Sequence, residues 1–561
     1  MEIERQPFNR RHAQKTFDAM KAEHLRYIPA YRDLSTFVNQ KRGIYENDRT
    51  LIGEMIDHKK LLSGYATYTN RIFASGLSYG MTNKASQWFK LSLSSEEAMD
   101  QPGVRNWLDQ VEKKMYAILN QSNLYDAFYS VYEELGQFGT GCFVVLEDFE
   151  DVVRSKIMTA GEYFLKTNNK GKVDGFAREF EMTVGQMVSE FGYDKCSDTV
   201  KTSFVNNNRE VKIKVCHLIE PNDERDESKD DKLNMAFRSV YWEQGSTDSD
   251  TFLDKRGFKR FPVVAPRWET PTTDTIYGYG PGWHALGAIK ELQKTRLDKI
   301  IAQEKLHNPP MLEDDSVEGY TNVLPGGVTK VSNLAPNTGV RPAYQINPSL
   351  ESFIESMGEL KEEIDRFFFV NLFLMLMNMD RAHITATEIA ERQQERIMMI
   401  GPALHKLDSE LSDETLEILY GIMEDNLLVP ELPEALEGVA IRIEYTSILA
   451  QAQRALGVVK MERVIGFAGA LAGINPDVLD IYDIDEMARE QVDLEGAPSK
   501  IVRDPNLVQQ IREQRMRQQQ AAQAAQMANS AADTTQKLSN AKTSEPSALD
   551  GVLQGLGASA Q

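Results

Sequence analysis

Two helices on either side of a short turn-rich insert constrain this chain more than any other feature of its sequence. The run TIYGYGPGWHALGAIKELQKTRLDKIIAQEKL at 275–306 turns helical at Pro281, a residue tolerated in a first turn because its missing N–H would be unpaired anyway. Asn308, Pro309 and Pro310 end that helix. A second helix runs from about Pro348 to Val370, where Leu350, Phe353, Ile354, Met357, Leu360, Ile364, Phe367 and Phe368 recur at steps of three and four, the spacing of one buried face. Between them, residues 311–346 carry turn signals. In VLPGGVTKV, Pro325, Gly326 and Gly327 separate two short extended runs, which predicts a small β tip bracketed by the two helices.

A Met-rich stretch follows, with Met375, Met377 and Met379, and then a sharp helix start in HITATEIAERQQERIMMIGPALHKL. Thr385 is placed to cap that helix through its hydroxyl while Glu388 reaches back to the Thr385 amide, a capping box. Ile389, Ile397, Ile400, Leu404, Leu407 and Leu411 mark its buried face as far as about Asp425. At 1.5 Å per residue it would be roughly 60 Å long. Gly401 and Pro402 predict a kink in its middle, because proline removes a backbone hydrogen bond and clashes with the preceding turn.

Upstream, residues 10–135 read mainly as helix, turning extended around Trp88 and Phe89. From GTGCFVVLEDF through VKIKVCHLIEP, NMAFRSVYWEQ and FPVVAPRW, ending at Trp268, short β-branched and aromatic runs alternate with polar linkers, which predicts an antiparallel strand-rich body. Beyond Val429 come a linker, the strand-like VAIRIEY, helices over 446–490, and a tail that starts helical in IREQRMRQQQAAQAAQMA. Its Ser, Ala, Thr, Asn and Gly remainder has no core pattern and reads as disordered. The fold class is α+β.

Composition excludes several functions. A formal net charge of -21 argues against a surface that coats nucleic acid, since such binding rests on Lys and Arg neutralising phosphate. Cys142, Cys196 and Cys216 include no CxxC pair and the histidines are scattered, so neither a disulfide framework nor a metal site is encoded, and no cofactor is expected. MEIERQPFNRRH is charged where a signal peptide needs an apolar run, and FFFVNLFLMLM at 367–377 is too short to span a bilayer, so neither export nor a membrane anchor is expected. GYGPG at 278–282 lacks the spacing and the lysine of a phosphate loop. No Ser, His and Asp arrangement is legible.

Four blocks in order give the chain a family resemblance. RIFASGLSYGMTNKASQWFKLSL, YDAFYSVYEELGQFGTGCFVV, IYGYGPGWHALGAIKELQKTRLDKI and HITATEIAERQQE resemble successive blocks of the portal, or head-to-tail connector, proteins of short-tailed bacteriophages. The resemblance covers about residues 10 to 530. It implies a wing from 1–270, a first stem helix within 271–307, a clip at 308–347, a second stem helix at 348–371 and a tunnel loop at 372–384. The long helix and the completion of the wing then take 385–477, a helical crown occupies 478–530, and 531–561 is the disordered tail. It also implies a ring, usually of twelve subunits, at one capsid vertex. Double-stranded DNA enters through its channel in packaging and leaves through it at infection. The implied partners are capsid and scaffolding proteins, a packaging ATPase (terminase) and a tail or adaptor protein. The implied place is the virion, with assembly in the host cytoplasm.

On this reading Asn378, Asp380, Arg381 and His383 form the polar tip of the tunnel loop, and Thr385 with Glu388 anchors it to the long helix. Glu351, Glu355, Glu359 and Glu362, with Glu363, lie opposite the apolar face of the second stem helix. They are either a solvated face or an acidic lining that repels phosphate and leaves DNA free to slide. Lys290, Lys294, Lys299 and Lys305 of the preceding helix are candidates to pair with them between subunits. Met375, Met377 and Met379 are either core filler or part of the mobile loop. The portal reading has no catalysis of its own. The alternative is a soluble hydrolase with a dispersed active site.

Overall fold

The computed structural model describes residues 8–43, 61–93, 103–229, 231–245, 251–315, 317–322, 324, 327–332, 339–343, 350–377, 386–433, 436, 440–453 and 505–539, with isolated positions over 466–489. The chain divides into two units, Met1–Glu462 and Arg463–Gln561.

In the first unit, helices α1 (Arg10–Leu25), α2 (Ile28–Phe37) and α3 (Tyr65–Met81) precede strand β1 (Phe89–Leu93), α4 (Val104–Gln121) and α5 (Leu124–Phe138). Eight strands follow: β2 (Cys142–Asp148), β3 (Val152–Met158), β4 (Tyr163–Thr167), β5 (Val173–Thr183), β6 (Lys212–Pro221), β7 (Phe237–Glu243), β8 (Asp254–Phe258) and β9 (Val263–Val264). Between β5 and β6 stand α6 (Val184–Phe191) and α7 (Asp198–Val205). Thr183 and Gln186 close a capping box at the start of α6, which is why the strand turns into a helix there without a loop.

The strand-rich body is antiparallel, as its alternating runs predict. β4 to β8 form a five-stranded sheet in chain order, and β3, β2 and β9 form a three-stranded one. Period-two alternation puts Ala177, Leu218, Val240 and Trp242 on the face that buries Phe17 and Met20 of α1. The larger core gathers α3, α4 and α5 around Phe73, Leu77, Trp88, Phe128 and Phe138.

The paired helices are α8 (Pro281–His307) and α9 (Leu350–Phe367), with β10 (Met311–Glu313) antiparallel to β11 (Val340–Pro342) between them. The tip therefore closes through its outer ends. The turn predicted at Pro325 and Gly326 lies outside the described residues, and further in the tip Val317 bridges to Val331.

The returning helix is two helices. Phe369 adopts a left-handed φ of 52° and separates α9 from α10 (Val370–Met377). The segment expected as loop from Leu372 is thus helical as far as Met377, with Leu372, Phe373 and Leu376 buried. The physical reason lies on α3, where Gly76 leaves a gap for the Phe373 ring. A Cβ at Gly76 would sit 2.2 Å from that ring.

The long helix continues as α11 (Ala386–Leu407) with Pro402 inside it. A π-helical turn follows over Asp408–Asp413, before α12 (Glu414–Asp425). β12 (Ile441–Tyr445) then pairs antiparallel with β1 and ties the end of this unit to the Trp88 region. In the second unit α13 (Pro505–Ser539) runs nine residues into the stretch read as disordered from 531.

Candidate functional site

The elements that leave the body are α8, the β tip and α9, and their root is built from glycine. Gly139, at φ +82°, ends α5, and GYGPG begins α8 against it. A Cβ on Gly139 would lie 2.4 Å from the Gly280 nitrogen, one on Gly278 would lie 2.4 Å from the Gly139 carbonyl, and one on Gly280 would lie 2.1 Å from the Leu135 carbonyl. Only glycines permit two backbones to approach so closely. Gly278 N–H donates to Thr140 Oγ1 at 2.7 Å and Trp283 Nε1 donates to the Phe138 carbonyl at 2.7 Å. The FGTG and GYGPG blocks, 140 residues apart in sequence, are two halves of one joint.

Further bonds hold the roots of both helices. Gln293, buried in α8, accepts from the backbone of Leu62 and Ser63 and donates to the Ser63 carbonyl. Tyr65 Oη donates to Asp365 of α9 at 2.8 Å. Past Gln293 the pair loses its cover. Leu297, Ile300, Ile301 and Leu306 of α8 and Ile354 of α9 are exposed, as are Met311, Leu312, Tyr320, Leu324 and Val328 of the tip. Apolar side chains in that number along a projecting element mark surface intended for burial by other chains.

Glu351, Glu355, Glu359, Glu362 and Glu363 are all exposed on α9, opposite Met357, Leu360 and Ile364, which are buried. Within the chain two of the α8 lysines have other partners. Lys290 pairs with Asp33 at 2.6 Å and Lys294 with Asp298 at 2.8 Å. Among the described residues only Arg366 approaches the stripe, at 3.9 Å from Glu362. Asn378, Asp380, Arg381, His383 and Thr385 lie outside the described residues. Glu388 lies in α11, which begins at Ala386, directly after Thr385.

The π-helical turn is a second joint, and the sequence does not advertise it. Glu410 receives Arg267 Nη2 at 2.6 Å, Arg267 Nε at 3.2 Å and the Arg267 backbone N–H at 2.9 Å. The same guanidinium donates to the carbonyls of Gly171 and Thr275, so one buried arginine ties the long helix to the β body and to the segment leading into GYGPG. Such charge-assisted, two-pronged bonds are stronger than neutral ones. Around it, Lys172 reaches Glu414 at 3.3 Å and Tyr445 Oη donates to Asp413. Burial, reinforced by Asp413, pushes the Asp408 carboxyl up to about 7. Burial also raises Glu414 to about 7 against the opposing pull of Lys172.

His217 and Ser239 stand 2.9 Å apart, the reach of a nucleophile and its base. Arg178 Nε donates to His217 Nδ1 at 3.2 Å, which leaves the imidazole proton on Nε2, pointing at the serine. Both side chains are buried, so the pair is a hydrogen-bonded piece of sheet interior. Among the described residues no group of His, Cys, Asp and Glu is arranged to hold a metal ion, and no helix is long and apolar enough to cross a membrane.

Fold and site together define an assembly subunit, an α+β body bearing a helix pair and a β tip whose apolar side chains a single chain leaves partly exposed. Residues 10–502 match the family described as bacteriophage head to tail connecting protein. The chain is 38% identical over 537 residues to the probable portal protein of Bordetella phage BPP-1, covering 95% of this chain and 96% of that one. It is 35% identical over 554 residues to the portal protein of Salmonella phage epsilon15, covering 98% of each. A chain in the neck of an empty GTA particle aligns over 78% of this chain and 90% of its own at 11% identity, with a TM-score of 0.37. The chain belongs to the bacteriophage head-to-tail connector family, and its function is that of a portal protein of the virion, serving DNA packaging, DNA ejection and attachment of the tail.

Proposed function

We propose that the chain closes into a ring of about a dozen copies in which α8 and α9 of neighbouring subunits pack side by side around the DNA channel. The observation that supports this reading is the distal half of the helix pair, where Leu297, Ile300 and Ile301 stay 37–38% exposed and Ile354 56% exposed within one chain. Neighbouring copies cover them, and the glutamates of α9 then line the channel. The tunnel loop lies within 372–384, of which 372–377 is helical, with Asn378, Asp380, Arg381 and His383 at its tip and Thr385 and Glu388 anchoring it to α11. The ring assembles in the host cytoplasm with capsid and scaffolding proteins, receives a tail or adaptor protein, and has no catalysis of its own. A separate packaging ATPase, the terminase, drives the DNA.

A channel lined by carboxylates keeps the potential unfavourable for phosphate at every position, whereas neutral amides hydrogen-bond phosphate and create sticking points. Replacing Glu351, Glu355 and Glu359 together by glutamine is therefore expected to leave the ring intact and slow packaging at low salt. The difference shrinks as salt screens the field over about 10 Å. Packaging at the wild-type rate at low salt would place the stripe away from the channel.

A further inference from the structure

The two sheets of the body share one core. Between them Cys142, Val144 and Met158 of the three-stranded sheet pack with Phe176 and Ile219 of the five-stranded one. Side chains alternate along a strand, so Lys156, two residues before Met158, and Arg178, two residues after Phe176, continue those same inner faces as cations. Both come to one aromatic ring. The Lys156 ammonium stands 5.4 Å and the Arg178 guanidinium 4.3 Å from the centre of Phe180.

Neither cation is matched by a carboxylate. Arg178 donates through Nε to His217 Nδ1 at 3.2 Å, and Tyr241, stacked on that imidazole with ring centres 3.9 Å apart, faces the same guanidinium. Among the described residues no Asp or Glu lies within ion-pair distance of Lys156 or Arg178. Glu162 is the carboxylate whose charge reaches both, and it is engaged by the Thr159 N–H at 3.0 Å. A third cation, Arg256, lies over the Tyr241 ring but is paired with Glu190 and Asp254.

Burial, and then the Arg178 charge, hold the Lys156 ammonium below its ordinary range, and burial lowers Arg178 as well. Like charges gathered at one ring and partly removed from water destabilise a fold unless an anion stands between them, and the planar fork of an arginine matches an oxyanion. Lys156 stays open to solvent and Arg178 is half-buried, so a small ion can reach the pair. A net charge of -21 disfavours the phosphates of nucleic acid as that anion.

We propose that Lys156 and Arg178 bind a free oxyanion of the phosphate class, which bridges β3 to β5 and ties the two sheets together. The site goes beyond the ring reading and does not depend on it. Calorimetric titration of the full-length chain with sodium phosphate, in chloride buffer at constant ionic strength, tests it. The wild type binds one phosphate per chain, and Lys156→Gln loses about tenfold in affinity, the usual worth of a charged hydrogen bond. Lys156→Arg keeps the cation and binds like the wild type. So does Lys113→Gln, which removes an exposed cation of α4 paired with Asp109 at 2.6 Å. Phosphate raises the thermal midpoint of the wild type more than that of Lys156→Gln. No binding by the folded wild type overturns the proposal, as does equal binding by wild type and Lys156→Gln. An equal loss in Lys113→Gln also overturns it, because phosphate would then be responding to surface charge in general.

Discussion

Asp408 opens the π-helical turn and Glu414 follows it directly, and both carry carboxyls that burial raises to about 7 from ordinary values of 3.8 and 4.5. A raised value means that the folded chain holds the proton more tightly than the unfolded chain does. The resulting stabilisation is complete below the ordinary values and is lost as pH rises through about 7. The thermal midpoint is therefore expected to fall between pH 5 and pH 8, with Asp408→Asn and Glu414→Gln each flattening the fall, as thermal unfolding followed by circular dichroism checks. An unchanged slope in both variants would remove these carboxyls as the cause. Nothing in the sequence singles out this cluster. Arg267 sits in a strand-like run and Glu410 lies 143 residues later on a helix face, so their meeting depends on tertiary packing that periodicity does not encode. The glutamates of α9 were legible, because their spacing alone puts them opposite the apolar stripe.

At the scale of elements, the glycine joint at the root of α8 makes two opposite substitutions informative. Gly280→Ala places a Cβ 2.1 Å from the Leu135 carbonyl, where only backbone can give way, and is expected to cost about 3 kcal/mol in denaturant unfolding. Gly287→Ala, seven residues further along the helix with nothing within 4 Å, is expected to stabilise by about 0.5–1 kcal/mol. A joint that tolerated Gly280→Ala as well as Gly287→Ala would not be the close contact described. Most elements were legible from period alone, including the antiparallel strands and the two helices around the tip. Their interruptions were not. Phe369 gives no turn signal, and the loop expected from Leu372 in VNLFLMLM came from the family resemblance. That run is helical because α3 and the core enclose it, a tertiary reason that a single sequence conceals. Likewise the π-helical turn at Asp408–Asp413, where Arg267 and Tyr445 attach, carries no signal in the sequence.

At the scale of the whole molecule, a body with buried cores carries a helix pair and a tip whose apolar side chains are bare. Fully burying a Leu or Ile side chain is worth about 1.5–3 kcal/mol; covering the 37–39% of each α8 side chain that one chain leaves exposed contributes a fraction of that, which repetition around a ring multiplies. Identity to two phage portal proteins over nearly the whole chain places that surface in a family of head-to-tail connectors. Native mass spectrometry of the full-length chain at micromolar concentration, with electron-microscopic averages of the same sample, tests the ring most directly. The expected result is one closed species of about a dozen copies with a central hole. Monomers and dimers alone, persisting when scaffolding protein is co-expressed, would contradict it.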